Sequence, residues 1–239
     1  MIYFSNIFKK NRYNLMFRRL FQIAIEHSLN SAYQARLSQR GCIAEGVFWR
    51  NKSAQFTRFD ALLKHVQRAS PKQNTTVTDV GCGYGALYEF IKATPKYQHL
   101  LYTGVDINSS MIKACKQQFP KEKNLFSIGR KPRQMVDFSL FSGTFNLCHI
   151  NKTKFWEDYI LDNLHQSWQL SRYGIVLNLL CDKKSHIRNQ IYYANRSRFI
   201  ESTTNLFGPT YANSTPQVTG DVTFIILRQK IIDLTSIRP

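Results

Sequence analysis

The feature that most constrains the fold is the segment from Thr76 to Gly85, which reads Thr-Val-Thr-Asp-Val-Gly-Cys-Gly-Tyr-Gly. Its first half is short, apolar and β-branched, which predicts a buried strand over 77–80. Three glycines follow at alternate positions, and then comes a helical pattern that ends before Pro95. Glycine allows positive φ and lets a ligand approach bare backbone, and a helix N-terminus offers free N–H groups. The segment therefore predicts a strand, a ligand-binding turn and a helix.

The spacing of the glycines limits the kind of nucleotide that this turn would hold. The G-x-G-x-x-G pattern of dinucleotide folds and the phosphate-binding G-x-x-x-x-G-K-[ST] pattern are both absent from the sequence. A second strand is predicted over 100–105, and it ends in Asp106. An acid at the end of the second strand, roughly one βαβ unit after the turn, is placed to accept hydrogen bonds from ribose hydroxyls. We therefore expect a nucleoside ligand.

These two segments carry a resemblance to a known family. The run TDVGCGYG, followed by TGVDINSSMI, resembles the class I S-adenosylmethionine-dependent methyltransferases, whose first motif has an acid two residues before the first glycine. The resemblance extends over roughly residues 45–230. It implies a Rossmann-like α/β fold with a seven-stranded, mostly parallel sheet, helices on both faces and an N-terminal helical extension. It also implies S-adenosyl-L-methionine as cofactor. The alternative is a Rossmann-like domain that binds another nucleoside or none.

The resemblance implies cofactor contacts in three segments. Asp79 is the acid of the first motif, and the family packs apolar side chains that follow the ribose acid against the adenine face. The loop after the predicted fourth strand, 136–142, should face the methyl group, since ligands of open α/β sheets bind beyond the carboxyl ends of the strands. The implied cofactor-binding residues are Asp79, Gly81, Cys82, Gly83, Gly85, Asp106, Ile107, Met111, Ser142 and Gly143.

One position departs from the family pattern. A third strand is predicted over 125–128, and many relatives carry an acid just after the next glycine, where it binds the adenine amino group. Arg130 stands there in this chain, and an arginine cannot accept a hydrogen bond from that amine. Either backbone groups hold the adenine, or the site has changed.

The candidate catalytic residues follow the fourth strand. Asn146 would orient an acceptor oxygen or nitrogen, and His149 would serve as a general base. A lone histidine is more often structural or exposed, so the alternative for His149 is a structural role. Ahead of the glycine motif, the pattern Gln55-x-x-Arg58-Phe resembles a bacterial subgroup of the family, and Trp49, Gln55 and Arg58 are candidates for a lid over the cofactor.

The resemblance implies methyl transfer from S-adenosylmethionine to an oxygen or nitrogen atom. An Asn-Pro-Pro-Tyr type of motif is absent after the fourth strand, which counts against adenine or glutamine N-methylation and favours a small-molecule or saccharide-like acceptor. Two alternatives stay open. One is an RNA-modifying methyltransferase, and the other is a non-catalytic methyltransferase-like domain that acts as a binding or membrane-associated module.

The charge of the chain indicates anionic partners. Its 239 residues carry a net charge of +18, which favours contact with RNA, an anionic membrane surface or an anionic metabolite. Residues 1–70 are predicted to form a basic helical extension or lid, and residues 71–239 the cofactor-binding domain. The predicted first helix places Phe17, Leu20, Phe21, Ala24 and Ile25 on one face. That face either lies on a membrane or covers the domain core.

The five cysteines include no Cys-x-x-Cys pair, which predicts free thiols, no structural metal and a reducing, cytoplasmic compartment with peripheral membrane contact as an option. Further along, the pattern predicts a helix over 153–171 with a buried stripe of Trp156, Ile160, Leu164 and Trp168, capped near Gly174. Strands are predicted over 175–180 and 221–227, a helix over 196–206, and polar or turn-rich loops over 181–195 and 209–220.

Overall fold

The computed structural model describes residues 12–70, 74–215 and 217–228, with side chains described from residue 19 onward. Elements are numbered in chain order. The helices are α1 (Arg12–Arg40), α2 (Lys52–Ala69), α3 (Ala86–Ala93), α4 (Ser109–Gln118), α5 (Thr153–Trp168) and α6 (Arg196–Leu206). The strands are β1 (Thr76–Val80), β2 (Leu101–Asp106), β3 (Phe126–Ile128), β4 (Val136–Phe141), β5 (Ser171–Asp182), β6 (His186–Arg188), β7 (Ile191–Asn195), β8 (Thr210–Ser214) and β9 (Asp221–Leu227).

The described strands form one sheet whose long path runs β3-β2-β1-β4-β5, continuing through β9 to β8. The first five strands are parallel, and β9 is antiparallel to β5 from Gly174↔Leu227 to Leu180↔Asp221. A small hairpin of β6 and β7 extends the carboxyl end of β5, where Cys181 pairs with Ala194. This order places the carboxyl ends of β1, β2 and β4 side by side, at the edge where open α/β sheets bind ligands.

Helices cover both faces of the sheet. On one face α2, α3 and α4 pack against the strands through residues such as Leu62, Leu87 and Ile112. On the other face α1, α5 and α6 contribute Leu29, Trp156 and further buried side chains. The chain therefore has the α/β, mostly parallel Rossmann-like architecture that the sequence predicts. Because α2 shares a core with the sheet, the predicted domain division at residue 70 stays a prediction.

Most predicted elements are present with bounds shifted by one to a few residues. The strands over 77–80 and 221–227 and the helix over 196–206 are confirmed, and Asn108 caps α4 by accepting hydrogen bonds from the N–H groups of Ser110 and Met111 at 2.9 and 3.2 Å. The stripe from Trp156 to Trp168 on α5 is buried as predicted. No described helix is long and apolar enough to cross a membrane.

Three predictions on local structure are wrong. Gly174 does not cap α5 but lies inside β5, where a Cβ would approach the carbonyl oxygen of Ile226 to 2.1 Å. The polar segment 181–195 forms the β6–β7 hairpin, and residues 210–214 form β8 rather than a turn-rich loop. Gly174 pairs with the distant strand β9, whereas β6–β7 and β8–β9 are hairpins of neighbouring strands. Local polarity reveals neither kind of pairing.

The apolar face predicted for α1 is also only partly correct. Leu20, on the predicted face, is 55% exposed. Ile25, also on that face, is buried together with Leu29, so the inner face of the helix is rotated from the predicted one. Phe17 belongs to the part of α1 whose side chains are not described, and residues 1–11 lie outside the described residues.

Candidate functional site

A cavity lies at the carboxyl ends of β1, β2 and β4. Its walls come from the glycine turn, the end of β2, the loop after β4 and the N-terminal helical segments. The predicted cofactor-binding residues that line it are Asp79, Gly81, Cys82, Gly83, Asp106, Ile107, Met111, Ser142 and Gly143.

The glycine turn has the backbone conformation that its sequence requires. The φ values are 82° at Gly81, 55° at Gly83 and 88° at Gly85. Residues other than glycine rarely adopt such backbone angles. The N–H groups of Gly81 and Cys82 donate to the carbonyl of Val105 at 2.8 and 3.0 Å, so the turn is fastened to β2. A Cβ on Gly83 would have Val47 as its nearest neighbour, at 3.8 Å. Bare backbone at Gly83 therefore faces open space in the cavity wall.

Gly85 makes packing contacts, and its predicted role in cofactor binding stays a prediction. It does not line the cavity, and a Cβ there would lie 2.9 Å from Phe119 and 3.3 Å from the Cys115 thiol. It also caps the N-terminus of α3 in a left-handed conformation. The structure therefore gives Gly85 a packing role between the turn and α4.

Asp106 links the two motifs. One carboxylate oxygen accepts a hydrogen bond from the N–H of Gly83 and the other from the N–H of Asn108, both at 2.8 Å. Burial raises the pKa of Asp106, and these two backbone hydrogen bonds oppose that rise. Because a carboxylate has about four lone-pair positions, each oxygen can still accept a hydroxyl. The residue is thus suited to hold vicinal hydroxyl groups while it fixes the turn.

Asp79 carries an unsatisfied oxygen at the base of the cavity. Its Oδ2 accepts a hydrogen bond from the Tyr102 hydroxyl at 3.0 Å, while its buried Oδ1 has no partner among the described residues. Burial raises the pKa of Asp79 to about 7, Tyr102 opposes the rise, and the nearby Asp106 adds to it. The hydroxyl of Ser142 is likewise buried without a partner. A ligand with a cationic donor would satisfy such an oxygen.

The predicted catalytic residues lie outside the cavity lining. The side-chain oxygen of Asn146 accepts a hydrogen bond from the N–H of Leu180 at 3.2 Å, which fixes the loop after β4 to β5. Nδ1 of His149 lies 2.9 Å from the hydroxyl of Ser28 on α1. These contacts give both residues structural partners, so their catalytic roles stay predictions.

Arg130, which departs from the family pattern, forms an ion pair with Glu26 on α1. The Glu26 side chain is only 6% exposed, and burial raises its pKa although Arg130 opposes that rise. Asn108 adds a second link, since its side-chain amide donates to the carbonyl of Asn30 at 3.1 Å. The ends of β2 and β3 are therefore joined to α1.

Sequence reasoning missed the contribution of α1 to the cavity. Leu29, Asn30 and Tyr33 of α1 line the cavity, as does Tyr159 of α5. The repeat of Ile25, Leu29 and Tyr33 at four-residue steps was the signal that could have identified this inner face. Of the lid candidates, Trp49 and Gln55 line the cavity, whereas Arg58 lies behind Trp49.

The cavity is acidic and aromatic. The only charged side chains in its described lining are Asp79 and Asp106, and its other walls include Tyr33, Trp49 and Tyr159. Within the described residues, no three His, Cys, Asp or Glu side chains are grouped to hold a metal ion. This lining suits a ligand that carries positive charge and flat apolar groups.

Comparison with known proteins agrees with this geometry. A family model described as "Methyltransferase domain" matches residues 78–159. A protein of Mycobacterium tuberculosis named "Putative methyltransferase Rv1506c" is 30% identical over 123 residues, which cover 50% of this chain and 73% of that protein.

Solved structures share the fold at low sequence identity. An S-adenosylmethionine-dependent methyltransferase of Leishmania major has a TM-score of 0.57 at 10% identity, with coverage of 83% of this chain and 82% of that one. Magnesium protoporphyrin IX methyltransferase of Synechocystis PCC 6803 with bound S-adenosylhomocysteine has a TM-score of 0.50 at 15% identity, with coverage of 74% and 84%. Together with the two sequence motifs and the family match, these likenesses establish that the chain belongs to the class I S-adenosylmethionine-dependent methyltransferases.

Proposed function

We propose that the enzyme transfers the methyl group of S-adenosylmethionine to a small, uncharged acceptor, at a nitrogen or oxygen atom, with nitrogen favoured. The observation that carries this proposal is the acidic, aromatic cavity without a cationic side chain in its described lining. A phosphate or carboxylate on the acceptor would find no positive partner there. RNA and anionic metabolites are therefore less suited to the cavity than a neutral small molecule.

The residues present fit the cofactor. Asp106 would accept hydrogen bonds from the ribose hydroxyls, and the unpartnered Oδ1 of Asp79 would accept one from the ammonium group. Bare backbone at Gly83 leaves room for close approach of a ligand, and Ile107 and Met111 offer apolar surface to the adenine. When bound, the cofactor supplies an electrophilic methyl group on a sulfonium. The work left to the protein is to hold the acceptor in line with that methyl group.

The preference for nitrogen rests on the absence of a ready base in the described lining of the cavity. Burial raises the pKa of Tyr33 and of Tyr159 well above the ordinary tyrosine value, so both phenols stay protonated at neutral pH. Burial likewise raises the pKa of the Cys82 thiol. A hydroxyl acceptor profits from a general base, whereas a neutral amine attacks without one. The carboxylates of Asp79 and Asp106 are assigned to the cofactor in this proposal.

A panel of acceptors tests the proposed function. We expect release of S-adenosylhomocysteine to be at least about tenfold faster with aromatic amines, and with aliphatic amines whose pKa lies below the assay pH, than with saccharides or carboxylates, because no base aids the hydroxyl. Total RNA serves as the competing acceptor, assayed over a series of salt concentrations. Faster turnover with RNA, with a steep fall at higher salt, would contradict the proposal, and so would a clear preference for saccharides.

The raised pKa of Asp79 predicts a pH dependence of cofactor binding. With a pKa of about 7, the ionised fraction of Asp79 rises about eightfold from pH 6 to pH 7.5, and the affinity for S-adenosylhomocysteine should rise by roughly the same factor. Calorimetry at several pH values measures this slope, which the Asp79→Asn variant should lack. An equal slope in that variant would assign the titration to another group.

The raised pKa of Asp79 also predicts that the stability of the ligand-free protein falls as the pH rises. The folded-state pKa of Asp79 is raised above the unfolded value of about 4. Its contribution to stability is therefore present below pH 4 and is lost as the pH rises to about 7. Cofactor binding and intrinsic stability should thus respond to pH in opposite directions in this window.

A membrane contact stays a second proposal, with one supporting observation. Leu20 and Ile23 of α1 are 55% and 48% exposed, and the nearby Phe155 of α5 is 46% exposed and carries the Lys152 ammonium over its ring at 5.7 Å. Exposed apolar residues beside cations are typical of surfaces that contact anionic lipid. Flotation of the protein with and without phosphatidylglycerol vesicles separates this proposal from a purely soluble role.

A further inference from the structure

Trp49 forms part of the cavity wall beside the loop that follows β4. A Cβ on Gly143 would lie 2.6 Å from Cζ2 and 3.1 Å from Cη2 of the indole, so the ring edge packs directly on bare backbone. Gly143 has a φ of 69°, and its N–H donates to the side-chain oxygen of Asn178 at 2.7 Å. The indole and this loop therefore form one packed unit.

A buried ion pair supports the indole from behind. The guanidinium carbon of Arg58 lies 4.6 Å from the centre of the Trp49 ring, within the range of a cation–π contact. Nε of Arg58 lies 2.8 Å from Oδ1 of Asp221, and the two side chains are only 11% and 0% exposed. The other oxygen of Asp221 accepts a hydrogen bond from the Thr215 hydroxyl at 3.0 Å. Asp221, Arg58, Trp49 and Gly143 thus form a continuous chain of contacts.

This chain of contacts lies on the side of the cavity where the reaction would occur. Asp106 and Ile107, the predicted partners of ribose and adenine, lie at the end of β2, on one side of β1. Gly143 follows β4, on the other side of β1. If the adenosine part of the cofactor lies at the β2 side of the cavity, its methyl group points toward the β4 side. Trp49 then lies next to the acceptor.

Burying the charged side chains of Arg58 and Asp221 costs free energy of folding. Burial lowers the pKa of Arg58 and raises the pKa of Asp221, and each partner opposes the shift of the other. Buried ion pairs of this kind are weak sources of net stability, but loss of one partner leaves the other charge unpaired. The pair is better explained by the geometry it imposes on Trp49 than by stability.

We propose that Arg58 and Asp221 are positioning residues that fix Trp49 as the acceptor wall, and that Trp49 selects a flat, neutral acceptor. This inference rests on the proposed function and narrows its substrate class. A cation already covers one face of the indole, so a second cation would gain little from the ring. A planar uncharged ring would gain packing against it.

The test follows the environment of Trp49 as well as catalysis. The difference in fluorescence between wild type and Trp49→Phe isolates the emission of Trp49 from that of the other two tryptophans. Acrylamide quenching of this emission should rise about twofold or more in Asp221→Asn and Arg58→Gln, since an unsupported ring moves. Their kcat for the best aromatic amine of the panel should fall about tenfold or more, while the affinity for S-adenosylhomocysteine changes less than about threefold.

Asp137→Asn is the matched control. Asp137 is also a fully buried acid paired with an arginine, Arg172, but it lies at the start of β4, at the opposite end of the sheet. This variant should lower the melting temperature and leave the quenching of Trp49 unchanged. Equal quenching in Asp221→Asn and wild type would overturn the inference, and so would an unchanged kcat. Failure of the wild type to bind S-adenosylhomocysteine would instead overturn the proposed function.

Preference among acceptors supplies a second readout. Trp49→Ala should reduce turnover of aromatic amines more than that of aliphatic amines of similar size, by about two- to tenfold in the ratio, because a stacked ring contributes about 0.5–1.5 kcal/mol beyond its area. An unchanged ratio would remove the role in selection, even if the positioning role of Arg58 and Asp221 held.

Discussion

The Asp106→Asn enzyme is expected to bind S-adenosylhomocysteine at least about 100-fold more weakly than the wild type. The amide places an NH₂ group against the N–H of Gly83 or of Asn108, both of which now donate to carboxylate oxygens at 2.8 Å. The substitution thus loosens the turn and removes a ribose acceptor. Two hydrogen bonds to a charged group contribute about 3–6 kcal/mol, and about 1.4 kcal/mol is tenfold in affinity.

Calorimetric titration with S-adenosylhomocysteine measures this loss. Glu201→Gln removes an exposed carboxylate on α6 and serves as the charge-matched control. If Asp106→Asn bound within about threefold of the control, Asp106 would serve only to order the turn.

The second large effect concerns Gly83 and Gly85, which belong to the same sequence motif but have different surroundings in the structure. Gly85→Ala should destabilise the protein by about 2–5 kcal/mol, because alanine at a φ of 88° is strained and its Cβ would meet Phe119 at 2.9 Å. Gly83→Ala should cost only about 1–2 kcal/mol, the strain of alanine at a φ of 55°, since its Cβ has no neighbour within 3.4 Å. The added methyl group would occupy cavity space, so its affinity for S-adenosylhomocysteine should fall about tenfold or more.

Chemical denaturation measures the stability of both variants, and titration with S-adenosylhomocysteine measures their affinity. The expected pattern is the larger loss of stability for Gly85→Ala and the larger loss of affinity for Gly83→Ala. The opposite pattern would return Gly85 to the cofactor site and make Gly83 a structural glycine.

The parts of the site that the sequence predicts are those encoded by short, continuous segments. The strand, turn and helix around Gly81 follow from local rules on β-branched residues, glycine and capping, and no distant contact is needed to recognise them. The acid at the end of β2 is likewise identified by its distance from the turn. For these segments, periodicity and spacing determine both the structure and the position at the sheet edge.

The parts that the sequence does not predict depend on contacts between distant segments. The helical pattern of α1 contains apolar residues on more than one face, and only packing on the sheet determines that Leu29 and Tyr33 point inward while Leu20 stays exposed. Gly174 follows a helix in sequence, yet pairing with β9 places it within a strand. The hydrogen bonds of Asn146 to β5 and of His149 to α1 are likewise contacts that the sequence does not reveal, and the catalytic roles of the two residues stay predictions.

The reversed direction of β9 has a consequence for how the enzyme is completed during synthesis. Because β9 is antiparallel to β5, its first residue, Asp221, lies beside the carboxyl end of that strand. Both cofactor motifs and the loop around Gly143 precede it in the chain by the length of several elements. A nascent or truncated chain that ends before residue 221 would therefore contain both cofactor motifs and yet lack the carboxylate that pairs with Arg58. If Trp49 is the acceptor wall, its support by Arg58 is complete only when β9, the last strand of the described residues, has been synthesised.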